Sequence, residues 1–181
     1  MNNQTKNMVL SALFIALSVV LTRLLSQQLF IAGVPASRLS AGFVPLILVG
    51  MICGPVWGLL AGALADIVGF FAFPSGMYYP LLTVTSALVG FLPGLIVRIG
   101  VKLPEWLKTL LCVFTSQILC SMLLQTFFLS VSFGKAFEVL LAPRAIVALV
   151  MLPVYFLLVQ SVLMALHRGR LIPSRLGSRP E

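Results

Sequence analysis

The stretch 38–80, RLSAGFVPLILVGMICGPVWGLLAGALADIVGFFAFPSGMYYP, decides the fold of this chain. It is apolar enough to lie inside a bilayer, yet it carries one acid, Asp66, deep within an apolar run. Three glycines, Gly54, Gly58 and Gly62, recur every four residues and lead to that acid. Because a spacing of four keeps side chains on one helix face, the glycines predict a close helix contact that the carboxylate continues into the protein interior. An ionisable residue inside a membrane segment is a functional-site hypothesis by default.

The composition is that of an integral membrane protein. Hydrophobic residues make up 60% and charged residues 9% of the 181 residues, and the mean hydropathy is +1.13. Soluble domains carry roughly 25% charged residues. At roughly 20 residues for each spanning helix, about six spans fit into this length. The sequence therefore predicts an all-α membrane protein, a single domain over residues 1–181 that forms a compact bundle of six transmembrane helices.

Proline, glycine and charged residues divide the apolar sequence into spans. The segment SQQLFIAGVPAS, residues 26–37, breaks the first helical run, and we expect it to form a loop over the bundle. The Gly54-Pro55 pair separates the second span from the third, and Pro80 fits the first turn of the fourth. The predicted spans are about 8–25, 39–52, 56–71, 80–99, 108–129 and 139–166, and a basic tail, 167–181, follows them.

The distribution of positive charge predicts the orientation. Membrane proteins carry an excess of Lys and Arg in their cytoplasmic loops, and an even number of spans places both termini on one side. We expect both termini to be cytoplasmic. The inner side then carries Lys6, Arg98, Lys102, Lys108, Arg168, Arg170, Arg175 and Arg179, and the outer half carries Arg23, Arg38, Lys135 and Arg144.

The outer cations indicate a binding site, since orientation does not require them. Each of them alone is explained by a side chain that reaches the membrane interface. Taken together with Asp66 and the aromatic pair Tyr78 and Tyr79, they predict an outward-facing pocket for a ligand with negative charge. The net charge of +8 does not predict nucleic-acid binding, because the charges lie at the ends of apolar runs.

The sequence lacks the residues of a catalytic site. A second acid near Asp66 is missing, since Glu105 falls on the other side and Glu138 lies in or near the last outer loop. His167 stands alone in the basic tail, and neither a metal cluster nor a Ser-His-Asp set is present. No P-loop occurs, so energy for uphill transport has to come from a partner or an ion gradient. We therefore predict a protein that is not an enzyme and that uses no cofactor and no metal.

Several segments of the sequence resemble a known family. Its marks are the pair Ala12 and Ala16 on the first span, then RLSAGFVPLILVG, GPVWGLLAGALADIVG and FPSGMYYPLLTVTSALVG. These features resemble the substrate-binding S component of energy-coupling factor (ECF) vitamin transporters, most like the folate-specific branch, and the resemblance extends to about Leu166.

The resemblance implies a high-affinity subunit of an ATP-driven vitamin uptake system in the bacterial plasma membrane. Such a subunit captures its vitamin, here folate, at the extracellular side in a pocket capped by the loops after helices one, three and five. It then delivers the vitamin through a transmembrane coupling protein and two cytoplasmic ATPases.

The chemistry of folate explains the candidate residues. A pterin edge presents an N–H and an amino group side by side, which the Asp66 carboxylate can accept, and an internal ion pair with Arg38 or Arg144 is its alternative role. Aromatic side chains, among them Phe71, offer stacking faces, and an Arg fork suits the carboxylates of the glutamate tail. The predicted substrate-binding residues are Asp66, Arg38, Tyr78, Tyr79, Arg144, Thr83, Phe70, Arg23, Gln125 and Lys135.

Ala12 and Ala16 form a small-xxx-small pair on the first helix. Such a pair either packs inside the bundle or docks a partner helix, and the resemblance places the coupling protein there. Two other functions stay open, an S component for another vitamin and a self-sufficient secondary transporter. Secondary transporters often contain internal repeats, whereas the segment 54–66 has no counterpart after Pro104.

Overall fold

A computed structural model describes residues 3–23, 27–31, 34–39, 41–73, 79–100, 104–133 and 137–168, and of the two strands it describes the backbone. Over these residues the chain forms a helical bundle with one short β-hairpin. The elements are α1 (Asn3–Arg23), β1 (Gln27–Ile31), β2 (Val34–Leu39), α2 (Phe43–Cys53), α3 (Pro55–Ala72), α4 (Pro80–Ile99), α5 (Glu105–Thr115), a π-helical segment (Ser116–Leu124), α6 (Gln125–Phe133) and α7 (Phe137–Arg168).

The predicted six-helix architecture is confirmed. α5, the π-helical segment and α6 follow one another without a break and form one rod, so the helical pieces make six rods. In the part of the chain that the structure describes, five rods are long and apolar enough to cross a membrane, and α2 is a shorter apolar helix of 11 residues. The five candidate spans are Gln4–Thr22, Pro55–Ala72, Pro80–Ile99, Glu105–Val131 and Arg144–Leu166.

Two strands occupy most of the segment 26–37, for which the sequence analysis expected a loop. β1 pairs antiparallel with β2, with Gln27 opposite Leu39 and Ile31 opposite Val34. A two-stranded ribbon tolerates the missing N–H of Pro35 because both of its strands are edges. β2 lies against α7. We call this end of the bundle, where α3 and α6 finish and α2, α4 and α7 begin, the hairpin end.

α2 lies at the centre of the bundle. Its residues from Val44 to Met51 are buried without interruption, as expected for a helix that is apolar on every face. It ends at Gly54, whose φ of +97° favours glycine, and Pro55 then begins α3 at a position where its missing N–H has no effect. Helix α2 packs against α3 and against α4, the two longer helices that follow it in the chain.

α3 and α4 run antiparallel with their backbones in contact. A Cβ atom on Gly58 would collide with the carbonyl oxygen of Gly90, and one on Gly62 would collide with that of Ser86. Two of the three glycines of the predicted face, Gly58 and Gly62, therefore form a helix contact, which we call the α3–α4 seam. Gly54 does not take part, because it lies before α3 and a Cβ atom there would have no neighbour within 4 Å. One turn further toward the hairpin end, the seam reaches Asp66.

Candidate substrate-binding site

Asp66 and Thr83 meet where the α3–α4 seam approaches the hairpin end. Thr83 Oγ1 donates a hydrogen bond to Asp66 Oδ2 at 2.8 Å. The Thr83 side chain is buried and that of Asp66 is half-buried. An ionised carboxylate has about four acceptor positions. One hydroxyl donor therefore fixes the orientation of the Asp66 carboxylate and leaves further acceptor positions for a ligand.

Arg144 forms a second polar cluster, between α7 and the rod that contains the π-helical segment. Its side chain is 6% exposed, and its Nη1 donates to the Ser121 carbonyl oxygen at 3.3 Å and to Thr126 Oγ1 at 3.5 Å. Its Nε is buried and has no hydrogen-bond partner in the part of the chain that the structure describes. Among the described residues Arg144 contacts neutral acceptors, and an incoming anion stabilises a buried guanidinium of this kind. Arg144 is thus suited to a carboxylate.

Asp66 and Arg144 do not form the ion pair that is the alternative role of this acid. Arg144 donates to Ser121 and Thr126, and Asp66 accepts from Thr83. The other alternative, an ion pair with Arg38, lies outside the described side chains, because the structure describes Arg38 only as a backbone position in β2. The acid and the buried cation are separate features of the site.

The π-helical segment shapes the Arg144 cluster. Ser121 lies within this segment, and Thr126, just after it, donates its hydroxyl to the Met122 carbonyl oxygen. π-Helical turns often occur at functional sites. Of the residues on this rod the sequence predicted Gln125, which is half-buried at the start of α6. Ser121 and Thr126 were not predicted. A polar pair at 125 and 126 inside an apolar run was the available signal.

The aromatic candidates differ in exposure. Phe70 and Phe71 form an edge-to-face pair with ring centroids 5.9 Å apart, but Phe71 is 76% exposed and faces away from the bundle. Phe70 is half-buried, as is Tyr79, which directly precedes α4. Of the aromatic candidates, Phe70 and Tyr79 therefore lie at the ends of the same two helices as Asp66 and Thr83.

Three of the remaining predicted site residues are outside what the structure describes in atomic detail. Tyr78 and Lys135 lie outside the described residues, and Arg23 is described only as the last backbone position of α1. The described side chains thus form two groups. The first contains Asp66, Thr83, Phe70 and Tyr79 on α3 and α4, and the second contains Arg144 with Gln125 on its neighbouring rod.

Six apolar rods, five of them long enough to cross a membrane, hold a half-buried acid and a buried arginine, as expected for a small helical membrane protein. The sequence model described as "ECF transporter, substrate-specific component" matches residues 6–163. The chain therefore belongs to the family of substrate-specific components of ECF transporters. This family is one of transporters and not of enzymes, and the predicted membership is confirmed.

Similar proteins place the chain close to the folate branch of this family. It is 30% identical over 155 residues to "Folate transporter FolT" of Clostridium novyi (strain NT), with 84% of each chain covered. It is 26% identical over 169 residues to "Folate transporter FolT" of a Leuconostoc mesenteroides subsp. mesenteroides strain, with 88% of each covered. A solved structure titled "Crystal structure of FolT bound with folic acid" matches with a TM-score of 0.74 and 25% identity, over 97% of this chain and 99% of that chain. The predicted likeness to the folate-specific branch is confirmed.

Proposed function

We propose that this chain is the high-affinity substrate-capture subunit of an ATP-driven vitamin uptake system, and that it binds folate. The observation that carries this proposal is the Asp66 carboxylate, which Thr83 orients at the hairpin end of the α3–α4 seam. A pterin ring offers two adjacent N–H donors on one edge, and paired charge-assisted hydrogen bonds to a carboxylate match that edge. The names of the two FolT relatives and the folic acid in the similar structure support the choice of ligand.

The second half of the proposed site is Arg144. Folate carries two carboxylates on its glutamate tail, and the unpartnered Nε of Arg144 is a donor for one of them. Phe70 and Tyr79 supply ring faces near Asp66. The other predicted contacts, Arg23, Arg38, Tyr78, Gln125 and Lys135, belong to the same proposal as residues that close the pocket around the ligand.

The proposed pocket faces the outside of the cell. The excess of Lys and Arg on the loops and tail of the opposite end favours a cytoplasmic position for that end and for both termini. We place the chain as a multi-pass protein in the bacterial plasma membrane, with the hairpin end outside, where an uptake system meets its vitamin.

Helix α1 offers a surface for the coupling protein. Ala12 and Ala16 are both exposed, whereas Ser11, Phe14 and Ser18 on the other side of the helix are buried. The packing of the described residues therefore leaves the alanine pair uncovered. Small residues spaced by four let a second helix approach closely. We assign this surface to a transmembrane coupling protein, which links the subunit to two cytoplasmic ATPases.

Reconstitution tests this function against that of a secondary transporter. Proteoliposomes would hold either the chain alone or the chain with its coupling protein and ATPases, and uptake of labelled folate would be followed with ATP on the nucleotide side. We expect uptake only with the complete assembly, and loss of uptake in the Asp66→Asn variant. Folate accumulation by the chain alone, driven by an ion gradient, would establish the secondary transporter instead.

A further inference from the structure

The Arg144 guanidinium is held by the described residues at one nitrogen. Both of the hydrogen bonds that it makes to them come from Nη1, one to the Ser121 carbonyl oxygen at 3.3 Å and one to Thr126 Oγ1 at 3.5 Å. Its Nε is buried and donates to no described residue. A guanidinium has five N–H donors in one rigid plane, so the bonds at Nη1 also fix the direction of the Nε–Nη2 edge. That edge is the part of the group that is left for a ligand.

The π-helical segment supplies the first of the two acceptors. In an α-helix the N–H of Gln125 would donate to the Ser121 carbonyl oxygen, four residues earlier. Here it donates to the Cys120 carbonyl oxygen, five residues earlier. The Ser121 carbonyl oxygen is thus available to Arg144 because the hydrogen-bond spacing of the rod changes at this point.

Thr126 supplies the second acceptor. Its side chain is completely buried, and its hydroxyl donates to the Met122 carbonyl oxygen. A hydroxyl has one O–H donor and two acceptor lone pairs. Because its single proton is directed at Met122, the oxygen presents lone pairs to Arg144. The contact therefore has the polarity that a cation requires.

The contact with Arg144 distinguishes Thr126 from other buried hydroxyls. Threonines on helices often donate to the carbonyl oxygen of the preceding turn, so the bond to Met122 is by itself ordinary. Thr109, on the same rod, makes such a bond to the Glu105 carbonyl oxygen at 3.0 Å and is also buried. Among the described contacts, however, a guanidinium donates to the oxygen of Thr126 and not to that of Thr109. Thr109 is therefore a matched control for Thr126.

We propose that Thr126 is a positioning residue for the glutamate tail of the ligand. Together with the Ser121 carbonyl oxygen it holds Nη1, so that a tail carboxylate meets the Nε–Nη2 edge of Arg144 and accepts two parallel hydrogen bonds. This inference rests on the proposed function, since it takes folate as the ligand. It adds a residue that does not touch the ligand and that acts through the direction of the guanidinium.

Calorimetric titration with folate and with pteroate, which lacks the glutamate tail, tests this proposal. Thr126→Val keeps the shape of the side chain and removes the acceptor, so folate affinity should fall by about threefold to tenfold, the range for one hydrogen bond, while pteroate affinity stays unchanged. Thr126→Ser restores the hydroxyl and should recover the affinity for folate. Thr109→Val removes a buried hydroxyl at the other end of the rod and should bind both ligands like the unmodified chain.

A double variant separates positioning from packing. In the Arg144→Met background, Thr126→Val should have no further effect on folate binding, because the residue through which Thr126 acts is gone. A loss that persists in that background would overturn the proposal, as would equal losses for folate and pteroate or an unchanged folate affinity in the Thr126→Val protein. Binding of neither ligand by the unmodified chain would instead overturn the proposed function on which this inference rests.

Discussion

Thr83 donates a 2.8 Å hydrogen bond to Asp66 across the α3–α4 seam. The seam continues one helical face, on which Gly58 and Gly62 contact the α4 backbone and Asp66 follows four residues later. Because the two glycines have no side chains, the backbones of α3 and α4 lie in contact, and Thr83 is close enough to reach the carboxylate. Helix packing thus determines where the only acid in the apolar part of α3 lies.

Replacing Asp66 tests whether its carboxylate contacts the ligand. Asp66→Asn keeps the size of the side chain but exchanges an acceptor for a donor, so folate affinity should fall by about 2–4 kcal/mol. Titration by intrinsic fluorescence, together with the melting temperature, would measure this. Thr83→Val removes only the orienting hydroxyl and should lower affinity by about 1 kcal/mol. Unchanged affinity in a folded Asp66→Asn protein rules out direct pairing with the pterin.

Replacing Arg144 tests its proposed contact with the glutamate tail. Arg144→Met should weaken folate binding by about 2–3 kcal/mol, since a charge-assisted hydrogen bond is lost, and should leave binding of pteroate, which lacks the tail, nearly unchanged. Arg144→Lys keeps the charge without the fork and should show an intermediate loss. Calorimetric titration of both ligands provides the comparison. Equal losses for folate and pteroate would mean that Arg144 only supports the fold around Ser121 and Thr126.

The seam predicts an unusual effect of alanine at Gly58. Alanine is favoured over glycine in a helix by about 1 kcal/mol, yet Gly58→Ala should lower stability by about 1–3 kcal/mol because its Cβ collides with the Gly90 carbonyl oxygen. Thermal unfolding in one detergent would measure the change. A stability equal to or above that of the unmodified protein would show that α3 and α4 are not in backbone contact.

The alanine pair on α1 predicts a separation of binding from transport. Ala12→Trp and Ala16→Trp should leave folate binding unchanged, since both positions are exposed, and should abolish uptake in cells that coexpress the coupling protein and ATPases. Leu157→Trp, at an exposed apolar position on α7, is the matched control and should retain uptake. Normal uptake by both alanine variants would exclude this surface as the docking site. Loss of binding together with uptake would mean that the alanines support the fold.

The features that could be predicted from the sequence follow from strong local signals. Apolar runs bounded by Pro and Gly predict rods, and the four-residue glycine spacing predicts the seam and the position of Asp66 on it. The residue that each glycine contacts on α4 could not be predicted, however, because Gly58 faces Gly90 whereas Gly62 faces Ser86. Such pairings across helices are set by the tertiary fold and have no local signature.

Two other features could not be predicted for physical reasons. The strands 27–31 and 34–39 combine the polar residues Gln27, Gln28 and Ser37 with Pro35, so their sequence is typical of a loop. The π-helical segment changes the hydrogen-bond spacing within an apolar helix while its composition stays that of a membrane span. The contact of Arg144 with Ser121 depends on that segment and was therefore missed.

The most direct test of the proposed function is a titration of the purified chain with folate, riboflavin, thiamin and pantothenate, with no nucleotide and no partner protein present. Because the proposed site is built from residues of this chain alone, folate should bind tightly and the other three vitamins should bind at least about 100-fold more weakly, the difference expected from two lost charge-assisted hydrogen bonds. Equal or tighter binding of a vitamin without a pterin ring would contradict the assignment of folate.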